Sequence, residues 1–310
     1  MKTSNTKAGQ FIILFLGVIN ISAASIFIRL AQKEASSFVI AAARMIISTI
    51  PLIPIVILKH LPEIRKISKK DLFLSLLSGL FLAIHFASWI TSLEYTTIAS
   101  SVVIVCTTPI WVTLFGAIIY REKVGKAILI GIILTMLGGI IVALSENCSA
   151  ALLNPICNFN ISQMGGNRVL GNILALIGAL MAAGYLIIGK AVRKQVSLVP
   201  YAFIVYSTSA VFLSLLVIFT KTEVKLYQPL TYLWLIFLAI FPQLIGHSLF
   251  NWALKYISAT YVSIAQMGEP VGSTILAIII FREIPSSLKV VGALIILTGI
   301  FVVSRASNSS

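Results

Sequence analysis

The sequence predicts an all-α integral membrane protein with ten transmembrane helices, arranged as two inverted five-helix repeats. Hydrophobic residues make up 59% of the 310 positions and charged residues only 10%, and the mean hydropathy is +1.04. A soluble protein needs more charge than this to cover its surface. The apolar residues also occur in runs of membrane-spanning length, and the runs of the second half resemble those of the first.

A transmembrane helix needs roughly 20 mostly apolar residues. Runs of about that length cover 10–28, 37–58, 71–93, 96–120, 126–145, 170–189, 199–220, 230–254, 258–281 and 287–304. The runs are continuous and longer than the roughly 10 residues of a barrel strand, which favours helices. The first run resembles a signal peptide but stays apolar to Ile28, so we predict an uncleaved first span. The gaps hold charges and helix breakers, as between Lys59 and Lys70.

The formal net charge of +14 reflects membrane topology rather than nucleic-acid binding, because the basic residues form no stripe with interleaved aromatic residues. If the N-terminus is cytoplasmic, the outer segments hold only Arg29, Lys33, Arg168, Lys221, Lys225, Arg282 and Lys289, and Arg44 lies inside a span. The remaining 15 of the 23 basic residues are then on the inner side. The positive-inside rule therefore predicts a plasma (inner) membrane protein with both termini in the cytoplasm.

The two halves of the chain are similar at a constant offset of 161 residues. The pairs at this offset include Tyr95 and Tyr256, Pro109 and Pro270, Arg121-Glu122 and Arg282-Glu283, Gly131 and Gly292, Gly138 and Gly299, and Gly17 and Gly178. Because each unit holds an odd number of spans, the second unit enters the membrane from the opposite side. The predicted domains are two repeats at 8–145 and 169–306, joined by a loop at 146–168.

These motifs resemble the drug/metabolite transporter superfamily, with two copies of the EamA domain. The residues that carry the resemblance are Ala43-Arg44, Leu93 to Thr97, Thr108-Pro109-Ile110 and Tyr120-Arg121-Glu122 in the first half, and Phe250 to Leu254, Glu269-Pro270-Val271 and Phe281-Arg282-Glu283 in the second. The resemblance covers all but the loop near 146–168. It implies a ten-helix carrier with a central cavity that works by alternating access. It also implies export, with amino acids, metabolites and drugs among the substrates of the family.

Glu269 is the only acidic residue deep inside a predicted span. A carboxylate facing lipid costs roughly 2.5–3.5 kcal/mol, so we expect Glu269 to face protein or a hydrated cavity. Pro270 should free a carbonyl in the preceding turn, and Gln266 and Ser273 lie about one turn away. A proton-coupling or substrate-amine site and a structural carboxylate are both consistent with this pattern.

Two polar stripes lie on symmetry-related spans. The third span carries Ser78, His85, Ser88, Trp89 and Ser92 near one helical face, and the eighth carries Gln243, His247 and Asn251 at four-residue spacing. An intramembrane histidine is commonly a packing residue, but two on equivalent helices favour a shared cavity. The predicted cavity residues are His85, Trp89, Gln243, His247, Asn251, Tyr261, Gln266 and Glu269, with Trp89 and Tyr261 as apolar walls.

Other residues favour structural roles. We expect Arg44 to extend to the membrane interface, although a pair with Glu269 is an alternative. The glycines of the last span in each half should be close-packing positions, and the two Arg-Glu pairs should anchor span ends. Cys148 and Cys157 share the long loop, where a disulfide and two free thiols are both compatible with the sequence.

A secondary transporter of a small metabolite is therefore the leading hypothesis, with a small polar or amphipathic, amino acid-like compound as substrate. The sequence contains no ATP-binding, hydrolase or metal-binding motif, which predicts no enzymatic activity, no cofactor and no metal. The expected partners are the substrate and membrane lipid, and a homodimer is left open. A membrane-embedded enzyme and a non-transporting assembly or sensor protein are the alternatives.

Overall fold

A computed structural model describes residues 7–96, 98–121, 124–145, 166–282 and 285–306. Every regular element in these ranges is a helix. The long loop with Cys148 and Cys157, and the Glu122 and Glu283 of the two Arg-Glu pairs, lie outside the described residues.

The first half contains nine α-helices and one π-helical segment, π1. They are α1 (Lys7–Ile21), α2 (Ala24–Ala31), α3 (Ser37–Thr49), α4 (Leu52–Ile55), π1 (Val56–His60), α5 (Leu61–Lys66), α6 (Lys69–Tyr95), α7 (Ile98–Val105), α8 (Thr108–Tyr120) and α9 (Lys126–Leu144).

The second half contains seven α-helices and a longer π-helical segment, π2. They are α10 (Gly166–Val192), α11 (Leu198–Phe219), α12 (Pro229–Leu238), π2 (Ala239–His247), α13 (Ser248–Ala253), α14 (Ala259–Gln266), α15 (Glu269–Phe281) and α16 (Ser287–Ala306).

Eight helical stretches are long and apolar enough to cross a membrane. They are Gly9–Ala31, Ser37–Lys66, Lys69–Tyr95, Ser101–Tyr120, Arg168–Val192, Leu198–Phe219, Pro229–Ala253 and Ser287–Arg305, and a shorter apolar helix covers Lys126–Val142. The prediction of an all-α membrane protein is confirmed, whereas a count of ten spans is not established. The region predicted as the ninth span consists of α14 and α15, separated at Met267 and Gly268.

The predicted end of the second span at residue 58 is wrong. Helical structure continues through π1 and α5 to Lys66. Pro62 does not interrupt it, because this proline lies in the first turn of α5, where no intrahelical backbone donor is needed.

The offset of 161 residues reappears in the backbone. The break between α7 and α8 at Cys106 and Thr107 matches the break between α14 and α15. Arg121 and Arg282 end the equivalent helices α8 and α15 in the left-handed region, at φ of 53° and 55°. Left-handed backbone is uncommon in a residue with a side chain, so its recurrence supports a duplicated structural unit.

Helices α9 and α16, the last of each half, pack through their glycines. A Cβ atom on Gly138 would lie 2.6 Å from the carbonyl oxygen of Gly292, and one on Gly299 would lie 2.9 Å from that of Gly131. The expectation of close-packing glycines agrees with this geometry. Because the later residue of α9 meets the earlier residue of α16, these two equivalent helices run antiparallel, as inverted repeats require.

The main core forms where α6 packs along α10. Gly184 lies against Phe81, and Gly178 against Trp89, so these helices are also antiparallel. The C-terminal end of α6 therefore lies beside the start of α10, and the end of α10 is at the opposite face of the molecule. A cavity opens beside this helix pair.

Candidate functional site

A cavity of about 90 Å³ lies between the two halves of the protein. Its apolar lining includes Ile21, Leu186 and Met267. Its polar or aromatic lining residues are Arg44, His85, Trp89, Cys106, Thr108, Tyr185, His247, Ser263, Gln266 and Glu269. They come from α3, α6, α8, α10, π2, α14 and α15 and the break between α7 and α8, so both halves build the site.

Five of the eight predicted cavity residues line this space. His85, Trp89 and His247 lie on one side, on α6 and π2, while Gln266 and Glu269 flank the break between α14 and α15. The four-residue spacing on a helix that prompted the prediction thus brings both histidines to one cavity, together with the single intramembrane carboxyl group.

The other three predicted residues are not part of the cavity wall. Gln243 and Asn251 are fully buried and support residues that do line it. Gln243 accepts a hydrogen bond from Arg44, and Asn251 accepts one from Tyr185. Tyr261 packs against an apolar cluster that includes Ile132, Ile264 and Val303.

Arg44 does not extend to the membrane interface, so that expectation is wrong. The residue is 1% exposed and lines the cavity. Its Nε donates to Oε1 of Gln243 at 2.8 Å, and its guanidinium carbon lies 4.0 Å from the ring centre of Phe86. These two contacts explain the inward orientation, because they satisfy one donor and one face of the guanidinium group.

Arg44 and Glu269 both line the cavity but do not pair. Within the described ranges, the only ion pair closer than 4 Å joins His60 to Glu63. The two charged cavity residues therefore face the same space without a direct contact. This leaves room between a cationic and an acidic group.

His85 is held in one orientation. Its Nδ1 lies 2.8 Å from the carbonyl oxygen of Gly178, and because a carbonyl can only accept, Nδ1 carries the hydrogen. Its ring stacks on Trp89 with 5.7 Å between ring centres. Gly178 allows α6 to approach this closely, since an added Cβ would meet Trp89 at 3.3 Å.

The π-helical segment π2 presents Gln243 and His247. Pro242 lies inside it and lacks a backbone donor. Side chains of neighbouring helices satisfy its carbonyl groups, because Ser48 donates to Ala239 at 3.0 Å and Tyr206 to Gln243 at 3.3 Å. Such π-helical segments are common at functional sites, and the sequence shows only Pro242 as a signal for this one.

The serines of the third-span stripe do not face the cavity. Ser88 donates to the carbonyl of Ile84, and Ser92 lies 2.6 Å from Ser101. Ser78 lies 2.7 Å from the hydroxyl of Tyr201. These hydroxyls bond within α6 or to neighbouring helices, so only His85 and Trp89 of this stripe reach the site.

Pro270 does not free a carbonyl in the membrane, contrary to expectation. It lies in the first turn of α15, at a helix start, where a missing N–H costs no intrahelical bond. Glu269 is the first residue of this helix, and the equivalent position of the first half is Thr108 before Pro109. The two helix breaks therefore place one side chain each, Thr108 and Glu269, on the cavity.

Buried nitrogen atoms without hydrogen-bond partners collect on one side of the site. Three belong to cavity-lining residues, namely Nη1 of Arg44, Nε1 of Trp89 and Nδ1 of His247, and Nε2 of Gln243 lies behind them. A buried polar atom without a partner costs roughly 1–3 kcal/mol. Orphaned donors at a cavity indicate a polar occupant.

A set of hydrogen bonds closes one end of the molecule, and we call it the α2–α6 latch. Gln32 donates to the carbonyl of Ile90 at 3.2 Å and to Oγ of Ser37 at 3.1 Å. Glu94 accepts from the backbone N–H and the hydroxyl of Ser37, at the start of α3. The latch therefore joins the end of α2 and the start of α3 to the end of α6.

An equivalent set closes the opposite end, and we call it the α10–α13 latch. Arg193 donates to the carbonyl of Asn251 at 2.9 Å and also to that of Val196. At the offset of 161 residues, Arg193 corresponds to Gln32 and Asn251 to Ile90. Burial lowers the pKa of Arg193 below the usual value for arginine.

A carboxylate also caps the helix that follows the α10–α13 latch. Glu63 accepts from the backbone N–H of Ser197 at 2.9 Å and from its hydroxyl at 2.7 Å, at the start of α11. Glu94 does the same for α3 in the other latch. Both ends of the cavity are thus closed by the same construction, with different residues. No cluster of three potential metal ligands occurs in the part of the chain that is described.

A bundle of apolar helices in two equivalent halves around a polar cavity defines a polytopic membrane transport protein. The EamA-like transporter family matches residues 9–144 and 169–305. The chain belongs to this family, which confirms the resemblance drawn from the sequence and supports a transporter rather than an enzyme.

Two further similarities agree with this assignment. A protein of Clostridium kluyveri named as an uncharacterized transporter is 25% identical over 288 residues, which cover 90% of this chain and 87% of that protein. A solved crystal structure shares the fold with a TM-score of 0.77 at 16% identity, covering 98% of this chain and 99% of the other.

Proposed function

We propose that this protein is a secondary transporter that moves a small polar or amphipathic, amino acid-like metabolite out of the cell by alternating access. The observation that carries the proposal is the cavity between the two halves. Arg44 and Glu269 face it without pairing, and buried donors beside it lack partners. An occupant that supplies the missing bonds would offset their cost.

Alternating access is supported by the two equivalent latches. An inverted repeat can exchange its two end states by adopting, in each half, the conformation of the other. The α2–α6 and α10–α13 latches lie at opposite ends of the antiparallel pair α6 and α10, so separation of one latch at a time would open the cavity to one side only.

We further propose a plasma-membrane location with both termini in the cytoplasm, on the basis of the basic-residue distribution. In this orientation Lys66 and Lys221 lie on opposite sides of the membrane. Cysteine substitutions at the two positions, labelled with an impermeant maleimide in intact cells, should therefore differ in reactivity. Equal access from one side would contradict both this topology and the inverted repeat. A homodimer remains a further proposal, to be tested by the mass of the purified protein in detergent.

The function is tested with purified protein in liposomes. Labelled amino acids, nucleosides and sugars are offered with and without a proton gradient, and protein-free liposomes are the blank. We expect saturable, protein-dependent flux of at least one class, and the flux should fall when Glu269, His85 and His247 are replaced by apolar residues of similar size. The absence of flux for every class would refute the proposal. A cellular function that survives the triple replacement would favour the assembly or sensor alternative.

A further inference from the structure

We infer that the cavity holds a zwitterionic carboxylic acid in one orientation, with its carboxylate at a donor subsite formed by Arg44, Trp89 and His247 and its ammonium group towards Glu269. This inference rests on the proposed transport function and assigns the chemical class and the orientation of its substrate.

The donor subsite is defined by what its nitrogen atoms can do. The unpartnered nitrogens of Arg44 and Trp89 can only donate hydrogen bonds, and that of His247 donates in one of its tautomers. Gln243 adds a fourth nitrogen behind them, because its oxygen is turned to the donor Nε of Arg44. A set of donors with a fixed positive charge is complementary to an acceptor with a negative charge, and a planar carboxylate fits a guanidinium group.

The position of Arg44 is rigid enough to serve as an anchor. Gln243 holds its Nε at 2.8 Å, and Phe86 stacks beneath the guanidinium group. Phe86 also contacts the ring of His247 edge-on, with 5.5 Å between ring centres. The cationic and aromatic groups of the subsite are therefore packed on one another before a ligand binds, which reduces the entropy lost on binding.

The opposite wall has the complementary chemistry. Glu269 and Gln266 flank the break between α14 and α15, and the hydroxyl of Ser263 is nearby on α14. Glu269 is the only acidic residue among the cavity-lining residues. Because no ion pair joins it to Arg44, a ligand with separated charges can lie between the two and neutralise both. A purely anionic ligand would leave Glu269 without a counter-charge.

The test compares three forms of each probe in proteoliposomes. Alanine, leucine and phenylalanine are each measured beside the amine that lacks the carboxylate and the acid that lacks the amino group. We expect the amino acid to be transported about 10- to 100-fold faster than either truncated form, because each lost charge-assisted bond leaves a buried group unpaired. Equal transport of the amine and the amino acid would overturn the inference while leaving transport intact.

Variants locate the subsite. In Arg44→Gln, the preference for amino acid over amine should disappear, whereas the preference over the deaminated acid should remain. Glu269→Gln should give the reverse. Arg29→Gln makes the same change at an exposed position outside the cavity and should alter neither ratio. Retention of the carboxylate preference in Arg44→Gln would refute the assignment.

A second variant keeps the test decisive if Arg44→Gln does not fold. Trp89→Phe retains an aromatic ring but removes the unpartnered Nε1 donor, and it should reduce the preference over the amine by about 3- to 10-fold. An unchanged preference in Trp89→Phe would count against the subsite. If the native protein transports none of the compounds, the proposed function itself fails, which is a separate outcome from transport without carboxylate discrimination.

Discussion

Removal of the α2–α6 latch should shift the protein towards a state that is open at one end only. The proposed perturbation is Gln32→Ala, which deletes the hydrogen bonds to Ile90 and Ser37 at 3.2 and 3.1 Å. Each neutral hydrogen bond contributes about 1 kcal/mol, so the variant loses about 2 kcal/mol. At 1.4 kcal/mol per factor of ten, the equilibrium between closed and open ends moves about 30-fold.

The two ends offer matched positions for a distance measurement. Lys33 and Tyr95 are exposed beside the α2–α6 latch, and Lys194 and Tyr256 are exposed at the equivalent positions of the other end. Spin labels on these pairs, in a background without native cysteines, report the opening of each end by pulsed electron resonance. Gln32→Ala should lengthen the distance between labels at 33 and 95 and leave the 194–256 distance unchanged.

The reciprocal variant is Arg193→Ala, which removes the bonds to Asn251 and Val196. It should lengthen the 194–256 distance alone. Gln195→Ala, at an exposed position of the same loop, is the control and should change neither distance. If each latch variant lengthened both distances, or neither, the latches would contribute to stability without selecting a state, and this account of alternating access would be wrong.

Three further changes test the fold. Gly138→Ala should destabilise the packing of α9 on α16 by about 1–3 kcal/mol, because the new Cβ meets backbone, whereas Gly125→Ala, with nothing within 4 Å, should be neutral in detergent thermal unfolding. Glu63→Ala should lower the unfolding temperature through loss of the cap on α11, at a cost of about 1 kcal/mol. A side-chain hydrogen bond from Thr231 lowers the pKa of Glu34. Its stabilising effect is thus complete above the usual pKa of 4.5 and lost as the pH falls through the lower folded-state value, so the difference in unfolding temperature between native protein and Glu34→Gln should shrink in acid.

The sequence was sufficient for the features that depend on periodicity and composition. Apolar runs gave the helices, since each run must satisfy its backbone groups internally in lipid. Four-residue spacing put His247 on the same face as its polar neighbours, and a constant offset revealed the matching breaks at Pro109 and Pro270. These features are local, or repeat at a fixed spacing, so a single sequence contains them.

Features set by packing between distant helices could not be predicted in this way. Arg44 lies near a span end, and its inward orientation depends on Gln243, which is 199 residues away. The π-helical segment π2 changes the facing of the residues after Pro242, which a regular helical period does not anticipate. Gln32 and Arg193 are equivalent by offset, but their residue types differ, so a search for identical residues did not find the latches.

Symmetry and asymmetry are divided between the scaffold and the cavity. The glycine contacts of α9 and α16, the two helix breaks and the two latches all recur at 161 residues. The cavity residues do not, because the equivalents of Arg44, His85 and Glu269 are Val205, Gly246 and Thr108. An equivalent scaffold allows the two ends to open by similar motions. A cavity with the same groups on both halves would bind a small solute in two opposed orientations, whereas one cationic and one acidic wall admit only one. The duplication therefore accounts for movement, and the divergence of the cavity accounts for recognition.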